Sequence, residues 1–248
     1  MKVGIIGSGG REHAICQNLK KSNKVKRIYC FPGNAGTSNI ADNINIDLEK
    51  FKDIKDFILQ EKIDLIIVGP EKPLVDGLVD YLDGYNIKVF GPNRKASQLE
   101  GSKIFTKQLC QKFNIPTAQF GIFQNSNDAK KYLNDTKFPI VIKADNLASG
   151  KGVYICKDKN EAYIAVDEIF NGRFGEAKNL LVEEFLNGEE MSFFTIHDGY
   201  SFKIFGTAQD HKRVLEGDEG KNTGGMGAYS PSRLINKELE EKIISKII

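Results

Sequence analysis

The strongest constraint on the fold sits at the front of the chain. Residues 2–6 form an apolar run, Gly7-Ser8-Gly9-Gly10 follows, and a helical pattern runs from Arg11 to about Lys21. A strand that turns through glycines into a helix folds that helix back over a sheet. The pattern then recurs. Residues 25–31 predict a second strand, closed by Pro32-Gly33-Asn34. Residues 48–62 carry Phe51, Ile54, Phe57 and Ile58 at helical spacing, and residues 64–68 predict a buried strand ending at Gly69-Pro70. A helix over 74–82 and a strand over 88–90, ending at Gly91-Pro92, complete the series. Such alternation predicts a parallel sheet flanked by helices. Ligand loops in such sheets lie beyond the carboxyl ends of the strands.

After Gly101 the character changes. Ser102 can cap a helix reaching about Phe113, which stops before Ile115-Pro116. A helix over 126–133, strands over 138–144 and 152–156, a helix over 161–170 and a strand over 180–185 follow. Strands over 191–197 and 200–207 flank Asp198-Gly199, a dipeptide that favours type I′ hairpin turns. This half reads as α+β with antiparallel strands. An amphipathic helix pattern occupies 237–248.

Composition serves to exclude. The 248 residues carry 35 Lys and Arg against 33 Asp and Glu, a net charge of +2, so no global field favours nucleic acid or an acidic membrane. Cys16, Cys30, Cys110 and Cys156 form no C-x-x-C pair, which argues against a zinc site or a disulfide framework. With no signal-like segment and no membrane-length apolar run, the expected location is a reducing cytoplasm. Small molecules are the expected partners, with a monomer or weak homo-oligomer as the expected assembly.

Four segments can carry chemistry. In Gly7-Ser8-Gly9-Gly10-Arg11-Glu12-His13 the glycines let the backbone approach an anion, and the next helix offers free N–H groups. Arg11 adds a fork suited to phosphate. The G-x-G-x-x-G dinucleotide fingerprint fails, because Glu12 takes its last glycine position and is expected to hamper close helix–strand packing. Pro32-Gly33-Asn34-Ala35-Gly36 and Gly69-Pro70-Glu71 fall on the same sheet edge, with Glu71 able to accept from ribose hydroxyls. Any one of these loops is also ordinary turn chemistry; three together favour a polar small-molecule site.

The second segment runs from Lys143 to Gly152, with Ser149-Gly150-Lys151 between. Lysines around a small, flexible loop suit polyphosphate. It is not a Walker loop, and a plain hairpin with solvated lysines is the competing reading. The third, Glu183-Glu184-Phe185-Leu186 and on to Glu190, ends an apolar strand in carboxylates that could meet an adenine edge and a ribose. Taken alone it reads more simply as an acidic surface turn. The fourth joins Gln209-Asp210-His211-Lys212-Arg213 to the glycine-rich Asn222–Pro231 stretch, a polar cluster able to bind an acid. An exposed loop would explain its charge but not its glycine density. His13, His197 and His211 show no zinc spacing, and no G-x-S-x-G elbow is present.

In order, Gly9-Gly10-Arg11-Glu12-His13, Pro32 to Gly36, Ile67 to Glu71, Leu99 to Lys103, Lys143-Ala144-Asp145, Gly150 to Gly152, Val182 to Leu186, Gln209 to Arg213 and Asn222 to Pro231 resemble the phosphoribosylamine–glycine ligase family of the ATP-grasp superfamily. The resemblance implies an α/β protein: a Rossmann-like domain over 1–101, then an incomplete α+β ATP-grasp domain over 102–248 with a lid subdomain at about 118–187. It implies ATP-dependent joining of glycine to 5-phosphoribosylamine through a glycyl phosphate, in purine biosynthesis. Lys143 and one of Lys103 and Lys107 would hold ATP phosphates, under a lid of Ser149, Gly150, Lys151 and Gly152. The strand end Glu183, Glu184, Phe185 and Leu186 would meet adenine, and Glu190 the ribose. Asp210, Lys212 and Arg213 would line the acyl-phosphate region. Gly9, Gly10, Arg11 and Glu12 would help hold phosphoribosylamine, with Asn34, Gly36, Glu71, Asn222, Thr223, Gly224 and Gly225 as further substrate contacts.

Asn146 and Ser149 depart from the Gly and Ala of the lid pattern. The ligands for Mg2+ or Mn2+ are expected beyond residue 248, and with them the capacity for turnover. The rival expectations are another ATP-grasp carboxylate–amine ligase, a non-catalytic nucleotide-binding module, and an NAD-dependent oxidoreductase resting on the first glycine loop alone.

Overall fold

The computed structural model describes residues 1–145, 152–175, 177–217 and 219–248, leaving aside the side chains of Lys221 and Asn222. The front part runs β1 (Lys2–Gly7), α1 (Gly10–Lys20), β2 (Arg27–Pro32), a 3-10 turn (Thr37–Asn39), β3 (Asp42–Asn43), α2 (Phe51–Glu61), β4 (Leu65–Val68), α3 (Glu71–Asp76), α4 (Leu78–Asp83), β5 (Val89–Phe90) and α5 (Arg94–Gly101). The five strands form one parallel sheet in the order β3-β2-β1-β4-β5. Alternation along β1 explains its central place. Val3 and Ile5 pack with Cys16, Ile28 and Cys30 on one face. Ile6 joins Tyr29, Phe31, Ile54, Ile58, Ile66, Leu78 and Leu82 on the other. A strand covered on both faces reads as a continuous apolar run, as residues 2–6 do.

Two local differences from expectation have plain causes. The helix expected over 74–82 is two helices, because Gly77 adopts φ +95° and ends α3 in a left-handed cap. Helix α5 escaped the periodicity reading because it buries only Ser97; its start is set by Asn93, whose side chain accepts the Ala96 N–H.

The second part contains α6 (Lys103–Phe113), β6 (Phe120–Phe123), α7 (Ser126–Leu133), β7 (Ile140–Ala144), β8 (Val153–Cys156), α8 (Lys159–Phe170), β9 (Leu180–Glu184), β10 (Ser192–His197), β11 (Phe202–Asp210), β12 (Arg213–Leu215), β13 (Glu219–Asn222), β14 (Ala228–Tyr229) and α9 (Lys237–Lys246). Strands β6-β9-β7-β8 make an antiparallel sheet. Ile140, Ile142 and Ala144 of β7 and Leu180 and Val182 of β9 face α7 and α8 in one apolar cluster with Leu133, Ala162, Val166 and Ile169. Alternation therefore turns Val141, Lys143, Leu181 and Glu183 to the opposite face.

The β10–β11 hairpin forms, but not around a type I′ turn. Asp198 stays out of the left-handed region, Gly199 alone takes φ +93°, and His197 pairs with Phe202. The Asp198 carboxylate accepts the N–H groups of Tyr200 at 2.9 Å and Ser201 at 2.7 Å, so the aspartate caps the turn instead of entering it. No helix among the described residues is long and apolar enough to cross a membrane.

The second core has a titratable member. Burial pushes the Cys156 thiol up to about 11 from 9.0. Because the folded value lies above the unfolded one, the stability linked to this proton is present below pH 9 and is lost as pH rises through about 11. The melting temperature is expected to fall across that window, and Cys156→Ala to flatten the slope there. An unchanged slope in the variant would refute the assignment.

Candidate functional site

Three loops meet at the carboxyl edge of the parallel sheet. Glu12, only 4% exposed, folds its carboxylate back to accept the Gly9 N–H at 2.6 Å. It fits because Gly7, Gly9 and Gly69 carry no side chain: a Cβ on any of them would lie no farther than 2.9 Å from it. The expectation that Glu12 hampers close packing is thus corrected, since glycines around it supply the room. Asn34 donates to the carbonyls of Ser8 (2.8 Å) and Gly9 (3.3 Å), while its Oδ1 accepts the N–H groups of Gly36 and Thr37. Arg11 donates to the Gly69 carbonyl at 2.6 Å. Gly36 lies against the His13 ring, where a Cβ would meet Cε1 at 2.7 Å. Open space surrounds Gly10, and Glu71 is exposed at the start of α3. The structure therefore brings Gly9, Gly10, Arg11, Glu12, Asn34 and Gly36 together. Among the described residues no hydrogen bond or ion pair links them to the second site.

That second site starts on the face of the antiparallel sheet turned away from α7 and α8. Val141 pairs with Glu183 and Lys143 with Leu181, so Lys143 and Glu183 are diagonal neighbours. Lys143 Nζ lies 2.9 Å from Glu183 Oε2. Lys107 reaches the same oxygen at 3.5 Å from α6 and donates to Thr117 Oγ1 at 2.7 Å and the Ala118 carbonyl at 3.2 Å. Lys107 and Glu183 are both buried. Lys103 opens α6, where burial lowers its ammonium pKa and Lys143 lowers it further, against the pull of Asp145. Asp145 accepts from Ser102 Oγ and the Ile104 N–H, tying the start of α6 to the end of β7. Gly152 closes the β7–β8 hairpin by accepting the Ala144 N–H at 2.9 Å. The lid residues Ser149, Gly150 and Lys151, with Asn146, lie outside the described residues.

Beyond the end of β9 opens a cleft of about 1030 Å3. Phe185, Leu186 and Glu190 line it with Asp210, Lys212 and Arg213, so two segments singled out separately in sequence share one wall system. Glu184 fixes the strand end: its N–H donates to the Gln119 carbonyl at 2.9 Å and its carboxylate accepts the Gln119 N–H at 3.0 Å. Lys212 is ion-paired with Glu190 and lies 3.8 Å from Asp210, and the Glu190 hydrogen bond raises its pKa. Arg213 donates to the Gly220 carbonyl at 2.7 Å.

The glycine-rich segment folds back along this cluster. Thr223 N–H donates to the Lys212 carbonyl at 2.6 Å, Met226 N–H to His211 at 2.7 Å, and His211 N–H to Gly227 at 2.9 Å. Gly225, at φ +113°, passes close enough that a Cβ would stand 4.0 Å from Asp210 Oδ2. Strand β13 brings the Asn222 backbone opposite Arg213. Lys103, Lys143, Glu183, Thr223, Gly224 and Gly225 are not among the residues that line this cleft.

The cleft also contains two residues that sequence reasoning passed over, Arg233 and Ile155. Arg233 pairs with Glu189, and Gln209 is held by Tyr229 and by Ser232 Oγ at 3.2 Å. His211 stacks on Tyr229 with centroids 5.9 Å apart. Ile155 supplies an apolar wall. The alternation of β8 held a signal for it, since Val153 and Ile155 are exposed apolar residues on one face. Arg233 had none. Among the described residues no group of three or more His, Cys, Asp or Glu side chains could hold a metal ion.

A parallel-sheet unit followed by a lysine-bearing antiparallel sheet, with an apolar and charged cleft at its strand end, defines an ATP-grasp protein. The profile for the N domain of phosphoribosylglycinamide synthetase matches residues 1–100, and that for its ATP-grasp (A) domain matches residues 101–248. The chain belongs to the phosphoribosylglycinamide synthetase family. It is 49% identical over 249 residues to a phosphoribosylamine–glycine ligase of Mesorhizobium japonicum and 47% identical over 254 residues to one of Caldanaerobacter subterraneus. Each alignment covers 100% of this chain but only 59% and 61% of the relative, so the chain spans about three-fifths of their length. The crystal structure of a phosphoribosylamine–glycine ligase from Thermotoga maritima matches with a TM-score of 0.84 and 33% identity, over 99% of this chain and 59% of that one. An N5-carboxyaminoimidazole synthetase from Staphylococcus aureus, complexed with ADP, shares the fold at a TM-score of 0.75 and 19% identity, over 100% of this chain and 62% of that one.

Proposed function

We propose that the protein carrying this chain joins glycine to 5-phosphoribosylamine at the expense of ATP, releasing ADP and phosphate, as a soluble cytoplasmic step of purine biosynthesis. One observation carries the reading: the Phe185–Glu190 strand end and the Asp210–Arg213 cluster share one cleft, with the glycine-rich segment folded against the second. A base would lie against Ile155, Phe185 and Leu186. Glu190 would meet the ribose once Lys212 turns to a substrate anion.

The chemistry follows from the electrophile. A glycine carboxylate resists attack by an amine at neutral pH, so its oxygen first takes the γ-phosphoryl group of ATP. The phosphoribosylamine nitrogen then attacks the acyl carbon, and phosphate leaves with the bonding electron pair. Lys143 and Lys103 would neutralise charge on the moving phosphoryl, and Lys212 and Arg213 would hold the acyl phosphate. Phosphoribosylamine would dock at the edge formed by Gly9, Gly10, Arg11 and Asn34. The Mg2+ or Mn2+ that accompanies ATP would supply further positive charge at the phosphates, beside the charge of these lysines.

The test is ADP release with ATP, magnesium, freshly formed phosphoribosylamine and one amino acid at a time. Release that needs both glycine and phosphoribosylamine is the expected result. Release with a different acid moves the assignment to another carboxylate–amine ligase. Nucleotide binding with no release under any acid, by the whole protein that carries this chain, makes it a binding module.

A further inference from the structure

We infer that Lys107 is a positioning residue, which neutralises Glu183 so that Lys143 keeps its charge for nucleotide phosphate. The inference deepens the proposed nucleotide site and rests on it.

Glu183 is buried and faces two ammonium groups through a single oxygen, Oε2. The two lysines differ in what else they touch. An ammonium has three N–H donors. Lys107 donates to Thr117 Oγ1 and the Ala118 carbonyl and is ion-paired with Glu183 Oε2 at 3.5 Å, with the Phe120 ring 5.5 Å from its Nζ. Its side chain is 10% exposed. A phosphate approaching Lys107 would have to displace one of these partners, so Lys107 is a poor phosphate ligand and a good fixed counter-charge.

Lys143 is the reverse case. Among the described residues Glu183 is the one carboxylate within ion-pair range of it, and its side chain is 25% exposed. Two cations around one anion leave the cluster one positive charge in excess, and the more exposed lysine is the one able to present it. With Lys107 absent, Glu183 and Lys143 would close into a neutral pair, and a polyphosphate would have to break that pair to bind. Thr117 and Ala118 sit in the turn between α6 and β6, so the same contacts that saturate Lys107 also fix it against the sheet.

The experiment is calorimetric binding of ADP and of adenosine to wild-type protein, Lys107→Met, Glu183→Gln and the double variant, with a thermal melt on each. Lys107→Met is expected to weaken ADP roughly tenfold, the size of one lost charge-assisted contact, and adenosine less than roughly twofold. The double variant, which frees Lys143 by removing both opposing charges, is expected to recover the ratio of ADP to adenosine affinity to within roughly threefold of wild type. Should the methionine variant melt too low to assay, Lys107→Gln keeps a polar head group, drops the charge and carries the same expectation. A double variant whose ratio stays as low as that of Lys107→Met overturns the inference, as does an equal loss for ADP and adenosine. Wild-type protein that binds no ADP would instead remove the nucleotide site itself.

Discussion

Replacing Lys143 with methionine is expected to lower glycine-dependent ADP release by roughly 100- to 1,000-fold, the usual cost of removing one preorganised group that stabilises transition-state charge. The lysine stands on the face of β7 turned away from α7 and α8, next to Glu183 and within electrostatic reach of Lys103. Its neighbours in the strand, Ile142 and Ala144, face the helices, so the substitution leaves the apolar core untouched. Glu183 would still be balanced by Lys107. The loss should therefore fall on turnover and ADP affinity, with the melting temperature within a few degrees of wild type. Steady-state rates and a thermal melt on the same preparation would check it. Activity within a factor of about three of wild type would remove Lys143 from the phosphoryl site.

Gly69→Ala is expected to cost about 1–3 kcal/mol by overpacking. An added Cβ would come 2.6 Å from the Glu12 carboxyl carbon. Glu12 cannot move deeper, because Gly7 and Gly9 already border it, so it would have to turn out and release the Gly9 N–H. Both the start of α1 and the Arg11 bond to the Gly69 carbonyl depend on that geometry. Denaturant unfolding should show the loss of stability, and the double variant Gly69→Ala with Glu12→Ala should recover part of it. No change in the unfolding midpoint of the single variant would refute the overpacking.

Much of this was legible in the chain. The run 2–6 with its glycine turn, the apolar strand 64–68 and the helix spacing of Ile54 and Ile58 all fell where pattern placed them, because burial on two faces or one leaves a periodicity in sequence. Ser102 capped α6 as expected, accepting the Phe105 N–H, since a cap is a contact between residues three apart. Lys143, Glu183 and the Asp210–Arg213 cluster could be picked out by residue type; Lys143 pairs with Glu183, and Asp210–Arg213 line the cleft with Phe185–Glu190.

Other outcomes depended on partners distant in sequence. Choosing between Lys103 and Lys107 was beyond the sequence, since both lie on the same helix one turn apart. The choice turns on Thr117, Ala118 and Glu183, which reach Lys107 only when β9 lies between β6 and β7. Glu12 broke a dinucleotide pattern in sequence, and only the approach of Gly69 from β4 shows that room had been left for it. Arg233 carried no signal and entered the cleft through tertiary folding alone. The sequence determined which faces are apolar, where helices start and which residues carry charge, because those depend on neighbours a few positions away. Tertiary structure decided which charge meets which, because Coulombic and hydrogen-bond partners are selected by distance in space, and no local pattern records that distance.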